Sequence, residues 1–513
     1  VEQRIENNDG EQSAAIQFVD RYWLILFAAW MIGMAFFLAP AHDLKIFGDD
    51  FNSWTKVDEV RDLPAGELFF KSYDSSFFRP LEMLLVRSNL RAHGFTPKLY
   101  HTVTIIGHIL AGLLVLILAR RLGLGKLAAL CAAILFSAHQ SGAMAVLSSD
   151  SAGQVYCTVF GLASLIALID KDKAPTWISV SIASVFLMAA LLAKDGAVSF
   201  FAAALLVIGA NKMMRRIDWR RAILLSLPFV AVMLIYFGMR AGAQMAPPSF
   251  GGESRYQFQV GLNLFKDPAL MLLSMLTPIG THKLAASRED FVFLAFVAHL
   301  LLILAATIFG GLYAAYKKDT LHRNAVLMLF GFLFVALYPE CFMLRVSELY
   351  TYKPNPFFCI LTGLAFAFVF THAVEKRKTF ASGFIALLFL ASLGLNLSAF
   401  QDKQRLMRSN GEEAENALRE IKMQVPTITK NTTAVLANRK DELHYSVFYS
   451  PGAYLLAVPE AFKRIYKNSV AGFEIVAADA LEKTCEAAKG DCLALVFDKG
   501  AVAAELKLRS EDD

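Results

Sequence analysis

The sequence predicts an α-helical polytopic membrane protein of about eleven spans, followed by a small C-terminal α/β domain. Three observations carry this. Apolar residues make up 56% of the 513, give a mean hydropathy of +0.46, and gather in runs near the roughly 20 residues that cross a bilayer. Lysine and arginine collect in five short connections that all fall on one side of an eleven-span count. Beyond about residue 400 the long apolar runs stop, and short strand-like and helix-like segments alternate.

The apolar runs fall at about 22–40, 101–119, 127–147, 153–169, 176–193, 196–210, 222–239, 291–315, 325–338, 356–373 and 379–399. Between them lie Arg120, Arg121 and Lys126, then Lys171 and Lys173, then Lys212, Arg215, Arg216, Arg220 and Arg221. Lys317, Lys318 and Arg323 follow the eighth run, and Lys376, Arg377 and Lys378 the tenth. Positively charged loops stay in the cytoplasm. The N-terminus is therefore expected inside, with 41–100, 140–152, 240–290, 339–355 and everything after 400 outside. The expected location is a bacterial inner membrane, with the C-terminal domain periplasmic. No cleavable signal peptide is expected, because the run Tyr22–Ala39 is long enough to span and lacks a cleavage site. Only 19% of residues are charged, where a soluble chain of this length would divide into several domains with charged surfaces. The net charge of +5 is too small to imply a nucleic-acid partner.

Residues 1–400 form the expected transmembrane domain, and its loop 41–100 carries an adjacent acidic pair, Asp49 and Asp50. Carboxylates so close to hydrocarbon are kept where they face water, a partner or a substrate. Two neighbouring acids also split in proton affinity, which suits a group that takes a proton from a nucleophile. The plain alternative is a solvated loop acid or a helix N-cap before Phe51. Phe51, Trp54, Val57 and Val60 recur at three-residue steps, as in a short helix on the membrane surface. Pro80 opens a helix to about Ala92 with Leu81, Leu84 and Leu85 on one face. The segment 246–254 is Pro/Gly-rich, and 268–279 is apolar but too short to span, hence interfacial or re-entrant.

Residues 401–513 form the expected outer α/β domain. Residues 410–423 read as a polar-faced helix, 481–490 as a second helix, and 432–439, 473–479 and 492–498 as strands. Of the six cysteines, Cys131, Cys157, Cys341 and Cys359 lie in or beside apolar runs and act as small hydrophobes. Cys485 and Cys492 lie in the tail. Their separation allows a disulfide across a helix-to-strand turn in an oxidising compartment, with two buried free thiols as the alternative.

Several motifs resemble a known family. GDDF, then SYDSSFFRPLEMLL, then GFTPKLYHTVTIIGHILAGLL is similar to the N-terminal part of the transmembrane O-mannosyltransferase group and its bacterial relatives. These belong to the GT-C class of integral-membrane glycosyltransferases. The matching positions are Asp49–Asp50, Phe78-Arg79-Pro80-Leu81, Tyr100-His101 and Ile106-Gly107-His108. LLAKDGAV resembles the group's Ser-Lys-Glu element through Lys194 and Asp195, and SELYTYKP keeps Glu348, Tyr350, Tyr352 and Pro354. The group's His-Pro-x-His-x-Glu-Ala-Val becomes HQSGAMAV, which keeps His139, and the Arg-x-Asp that follows becomes the Ser-rich SSDSAG.

The resemblance implies a GT-C-like fold over roughly residues 20–370 and transfer of a sugar, of hexosyl or mannosyl type, from a polyprenyl- or dolichyl-phosphate carrier. The acceptor is a hydroxyl of a protein, glycan or lipid at the outer face, and the anomeric carbon inverts. Asp49 falls at the family's base position, with Asp50 its substitute or orienter. Arg79, Lys194, Arg345 and Lys353, with Glu348 and His139, fall where the lipid phosphate would be bound. Each cation has the alternative of snorkelling to headgroups, and Lys194 that of bracing two helices through Asp195. His101 and His108 are two helical turns apart, too far for one metal ion without other ligands. A divalent cation fits the acids, yet no Asp-x-Asp element makes one obligatory. A transporter or flippase for a lipid-linked glycan would show paired halves with broken helices, and no such repeat is visible. An inactive relative that binds the lipid carrier is the other alternative.

Overall fold

A computed structural model describes residues 14–48, 50–51, 54, 61–70, 78–243, 260–342, 347–439, 452–456, 458–466, 470–498 and 501–508. Each apolar run lies on a helix. In chain order these are α1 (Ala14–Leu38), α2 (Pro80–His93), α3 (Lys98–Arg121), α4 (Lys126–Ala138) and α5 (Ala143–Leu147). Next come α6 (Ala152–Leu168), α7 (Trp177–Ala193), α8 (Val198–Met213), α9 (Trp219–Gly242) and α10 (Asn263–Leu276). The helical part ends with α11 (Thr281–Ala286), α12 (Phe291–Lys318), α13 (Thr320–Cys341), α14 (Asn355–Glu375) and α15 (Thr379–Gln424).

Eight of the described helices are long and apolar enough to cross a membrane by length and composition. The run 127–147 is a pair, α4 and the segment Gln140–Leu147, bent by 48°, which would make nine. α6 and α7 have 17 residues each, or roughly 25 Å at 1.5 Å per residue, short of a 30 Å hydrocarbon core. The eleven expected spans are thus eight full-length helices, one bent pair and two short helices.

Local chemistry sets several helix starts. Asp218, Asp290 and Asp319 accept from the backbone N–H three residues on at 2.7, 2.9 and 2.9 Å, opening α9, α12 and α13. Thr176 and Ser179 form a capping box before α7. Inside the bundle, small residues let α4 and α14 meet backbone to backbone. A Cβ on Gly363 would lie 2.6 Å from Ala132 N and 2.8 Å from Ala128 O.

The connections sort to two ends. At one end, Lys126 donates to Asp20 O (2.8 Å), Arg121 pairs with Asp170 (3.5 Å), and Arg216 donates to the carbonyls of Asp170 and Lys171 at 3.2 and 2.6 Å. Arg221 reaches Pro175 O, and Asn324 reaches Met214 Sδ. The basic loops therefore meet the start of α1 at one end of the bundle. The polar connections that follow α1, α4, α7, α10 and α13 meet at the other.

α15 has 46 residues and runs without a break through residue 400, where the composition changes. The expected helix 410–423 is its last part. Beyond it lies a four-stranded sheet, β1 (Thr433–Asn438), β2 (Gly472–Ala477), β3 (Cys492–Asp498) and β4 (Ala501–Lys507), in the order β2-β1-β3-β4. The first three strands run parallel and β4 is antiparallel to β3. A helix, α16 (Leu481–Ala487), precedes β3. The sequence reading does not include β4: its alanine-rich AVAAELK has little β-propensity, and tertiary hydrogen bonds hold it. Val502 N donates to Glu420, Ala504 N to Gln424 Oε1, and Gln424 Nε2 to Val502 O, so α15 covers the edge strand.

Two expectations for the first loop change. Phe51 and Trp54 are fully buried in the protein core rather than lying on a membrane surface; Trp54 packs on the Tyr100 ring and donates to Ser149 O. In α2 the buried face carries Glu82, Val86, Asn89 and Leu90, while Leu81, Leu84 and Leu85 are half-buried. The segment 246–254 lies outside the described residues. α10 ends before Thr277, with Phe265, Leu270 and Leu273 exposed and Asp267, Met271 and Met275 buried. That is the pattern of an interfacial helix.

Cys485 and Cys492 are joined by a disulfide between α16 and β3, their Cα atoms 5.4 Å apart. Alkylation of unfolded, unreduced protein is expected to label Cys131, Cys157, Cys341 and Cys359 and to spare Cys485 and Cys492. Labelling of the last two without reductant would contradict the bridge.

Candidate active site

The site lies at the end of the bundle opposite the basic loops. After α1 a short turn, Ala39–Asp43, leads to Gly48, which takes φ +57°, a conformation open to glycine. Gly48 N donates to Leu455 O at 2.7 Å, and Arg408 on α15 donates to Pro40 O at 2.6 Å. The acidic turn is therefore strapped to both α15 and the C-terminal region. Asp49 lies outside the described residues. Asp50 is buried; its Oδ2 accepts from Phe47 N (3.3 Å). Ser148 Oγ stands between two carboxylates, 3.4 Å from Asp50 Oδ1 and 2.6 Å from Asp150 Oδ1, and Ser151 Oγ also donates to Asp150 at 2.6 Å. Trp54 Nε1 reaches Ser149 O at 3.4 Å.

Asp150 was missed in the sequence because the Ser-rich SSDSAG reads as a lost motif. The signal that singled out Asp49 and Asp50, an acid at the edge of an apolar run, applies equally to it.

Beside the acids lies a cluster of buried charge. Arg79 pairs with Glu82 at 3.3 Å, and Glu82 Oε1 accepts from Gly153 N at 3.2 Å. A Cβ on Gly153 would lie 2.7 Å from both Glu82 Oε2 and Ala193 O, so glycine permits the close approach of α2, α6 and α7. Burial pushes the Glu82 carboxyl above its ordinary range, against the pull of Arg79 and Lys194.

Lys194 follows α7 and is 5% exposed. Its ammonium stands 5.6 Å over the Tyr350 ring and makes no hydrogen bond or ion pair among the described residues. Burial, and then the charge of Arg79, lower its pKa to about 8, while Glu82, Asp150 and Glu340 act in the opposite sense. The neighbouring Asp195 does not brace it: Asp195 accepts from Tyr236 Oη and pairs with Arg240 at 3.2 Å.

The remaining expected residues are held by partners. Lys353 is fully buried and donates to Glu340 at 2.6 Å and to Gly196 O at 2.8 Å. Glu348 pairs with Lys403 of α15, which also donates to Gln140 Oε1 at 2.5 Å. Gln140 is fixed in turn by Asn396, Ser274 and Thr277. His139 bonds Met275 O at 2.8 Å and Ser141 Oγ at 2.9 Å. His108 bonds Tyr352 Oη at 2.8 Å and Ser137 O at 3.0 Å, which makes it a satisfied structural histidine. Both ring nitrogens of His101 are buried without a hydrogen bond. Arg345 lies outside the described residues. Glu340 and Lys403, which the sequence reading did not select, neutralise the two charges it assigned to phosphate binding. Among the described residues no three His, Cys, Asp or Glu side chains gather as a metal-binding group.

No family model and no curated protein matches the chain. Solved structures do. ArnT from Cupriavidus metallidurans bound to undecaprenyl phosphate superposes with a TM-score of 0.52 at 12% identity, over 91% of this chain and 88% of that one. The same protein in the apo state matches with a TM-score of 0.52 at 13% identity, over 93% of each chain. The archaeal oligosaccharyltransferase AglB from Archaeoglobus fulgidus, in complex with an inhibitory peptide and a dolichol-phosphate, gives a TM-score of 0.55 at 12% identity, over 93% of this chain and 70% of that one. These are GT-C glycosyltransferases, and the chain has the GT-C fold.

Breaking the Lys403–Glu348 pair from one side leaves a buried, uncompensated carboxylate. Lys403→Met is expected to destabilise the folded protein by about 3–5 kcal/mol, read as a lowered melting temperature in detergent. Adding Glu348→Gln should recover part of that loss. A single variant that melts like the parent would show that the pair does not hold α15 to the bundle.

Proposed function

We propose that this protein is a membrane glycosyltransferase that moves a sugar from a polyprenyl-phosphate carrier to an acceptor hydroxyl. Transfer takes place at the membrane face that bears the sheet domain, the periplasmic face of a bacterial inner membrane if the basic loops are cytoplasmic. The observation that carries the reading is the pairing of two chemistries at one end of a GT-C fold. A carboxylate cluster, Asp50 and Asp150 joined by Ser148, has its Asp150 in charge-interaction range of the buried Lys194, which lies in range of the half-buried Arg79 as well. The superposed ArnT and AglB, bound to undecaprenyl phosphate and dolichol-phosphate, support a lipid-phosphate carrier. The O-mannosyltransferase-like motifs around Arg79 and Tyr100 support the glycosyltransferase class more than they support any one sugar.

In this mechanism the acceptor O–H gives its proton to Asp49 as its oxygen attacks the anomeric carbon. The bond from that carbon to the phosphate oxygen breaks, and the polyprenyl phosphate leaves with the electron pair. Asp50, already engaged by Phe47 N and Ser148, fixes the turn that presents its neighbour. Arg79 and Lys194 stabilise the charge that develops on the leaving phosphate, an effect strengthened by their dry surroundings. Lys194 suits this role because the residue is 5% exposed and its ammonium is not consumed by a hydrogen-bonded counter-ion among the described residues. Lys353 and Glu348 act on the frame of the site, through Glu340 and Lys403.

Asp49→Asn keeps the shape of the side chain and removes its basicity. Turnover of a polyprenyl-phosphate-linked sugar is expected to fall by roughly 100-fold or more with carrier affinity retained, and Asp50→Asn should cost less. Near-full activity in Asp49→Asn would move the base elsewhere. If the parent binds the carrier and transfers no sugar, the inactive-relative reading replaces this one.

Titration of Lys194 gives a second expectation. Its pKa, lowered to about 8, leaves it cationic at neutral pH and neutral above that value. Affinity for undecaprenyl phosphate is therefore expected to fall as pH rises from 7 to 9. In Lys194→Arg, which stays charged throughout, the fall should be much smaller. The same slope in both proteins would take Lys194 out of the phosphate site.

A further inference from the structure

The first turn of α6, which follows Asp150 and touches Glu82, carries a side chain that neither role uses. Gln154 stands in the first turn of α6, is 1% exposed, and has neither its Oε1 nor its Nε2 hydrogen-bonded to any described residue. Asparagine and glutamine amides buried in proteins ordinarily have partners, and a buried amide with none carries the full cost of desolvation. Its position is informative. Asp150 lies in the turn just before α6, Gly153 beside Gln154 donates to Glu82, the carboxylate that pairs with Arg79, and Cys157 follows one helical turn on. Asp150 belongs to the carboxylate cluster, and Cys157 lies within range of the charges of Lys353, Lys194, Glu340 and Arg79. Gln154 thus stands in the helical turn that follows Asp150 and touches Glu82.

We propose that Gln154 is a specificity-determining residue that binds a hydroxyl of the sugar on the carrier; this rests on the glycosyltransferase reading above. The position follows from the reaction. The transferred sugar is bonded to the phosphate and is approached by the acceptor from its other side, so it must lie between the cations and the base. The chemistry follows from the amide. It offers a donor and an acceptor side by side, which matches a hydroxyl that both gives and receives a hydrogen bond. A phosphate oxygen only accepts, and Oε1 would repel it. An amide left without partners in the free chain is satisfied when a sugar arrives, so the interaction favours the loaded carrier over the spent one. That difference lets the product leave.

The test measures binding of bare undecaprenyl phosphate, undecaprenyl-phosphate-glucose and undecaprenyl-phosphate-mannose to the full chain in nanodiscs, for the parent and for Gln154→Met. Methionine keeps the length and removes both hydrogen-bonding atoms. The parent is expected to bind at least one loaded carrier more tightly than the bare one. Gln154→Met is expected to lose that preference by roughly 10- to 100-fold and to bind bare undecaprenyl phosphate as the parent does. Because the amide has no partner in the free chain, the variant should melt at the parent's temperature or above it. A preference kept in the variant, equal weakening of bare and loaded carriers, or failure of the variant to fold would each overturn the proposal by assigning Gln154 a structural role or none. A parent that binds the bare carrier with no preference for a sugar overturns this inference and leaves the carrier site standing. A parent that binds no carrier overturns the glycosyltransferase reading itself, and this inference with it.

Discussion

The cost of placing charge in a dry interior governs this molecule. At one end of the bundle Arg79, Lys194, Lys353 and Lys403 are gathered with Glu82, Glu340, Glu348, Asp50 and Asp150, nearly all of them buried. Ions taken from water into such surroundings are tolerated when a partner and further hydrogen bonds compensate them. Lys353 has Glu340 and the Gly196 carbonyl; Lys403 has Glu348 and Gln140; Arg79 has Glu82. Lys194 departs from that rule. It is buried, faces an aromatic ring, and makes no hydrogen bond among the described residues. The paired charges build the frame, and under the proposed function the incompletely compensated one is where the lipid phosphate completes the set. The same reasoning, applied to a neutral amide, marks Gln154.

The frame is assembled from distant parts of the chain. Lys403 lies on α15, which continues into the helix that covers β4. About two turns beyond Lys403, α15 passes so close to the approach to the acidic turn that a Cβ on Gly411 would lie 2.8 Å from Lys45 Cβ. Gly48 is tied to Leu455, and Lys45 stands 3.6 Å from Glu415. The turn that carries the acids is thus clamped between the bundle and the C-terminal region, and α15 is continuous with both. Under the proposed function, such bracing keeps a carboxylate at a fixed distance from reacting atoms, where a loop alone would leave it loose. The C-terminal region accordingly contributes to the placement of the site as well as to the chain's outer surface.

Much of this was legible beforehand. All eleven apolar runs fall on the helices that the structure shows, since a stretch long enough to cross a bilayer must satisfy its backbone internally and so is helical. The five basic connections foretold which loops share an end, and contacts such as Arg121–Asp170 and Lys126–Asp20 bring four of them together. Three strands and the helix before β3 were visible in their local patterns. Two kinds of feature were not. β4 is alanine-rich and held by Gln424 and Glu420, which lie some 80 positions away in sequence. Asp150, Glu340, Lys403 and Gln154 matter through what they face, and nothing in their neighbouring residues announces that.

The sequence by itself determined the membrane class, the helical elements and the segregation of positive charge to one end of the bundle. Each of these follows from the cost of exposing polar groups to hydrocarbon, which acts on every residue according to its own type and its near neighbours. Only the tertiary structure decided which charges are spent and which remain available. Lys353, Glu348 and Lys194 look alike in the sequence as ionisable residues near span ends. Glu340 on α13 engages the first, Lys403 on α15 the second, and no hydrogen-bonding partner among the described residues the third. Electrostatic pairing depends on distance in space, and partners 13 and 55 residues apart in sequence meet only once the helices have packed.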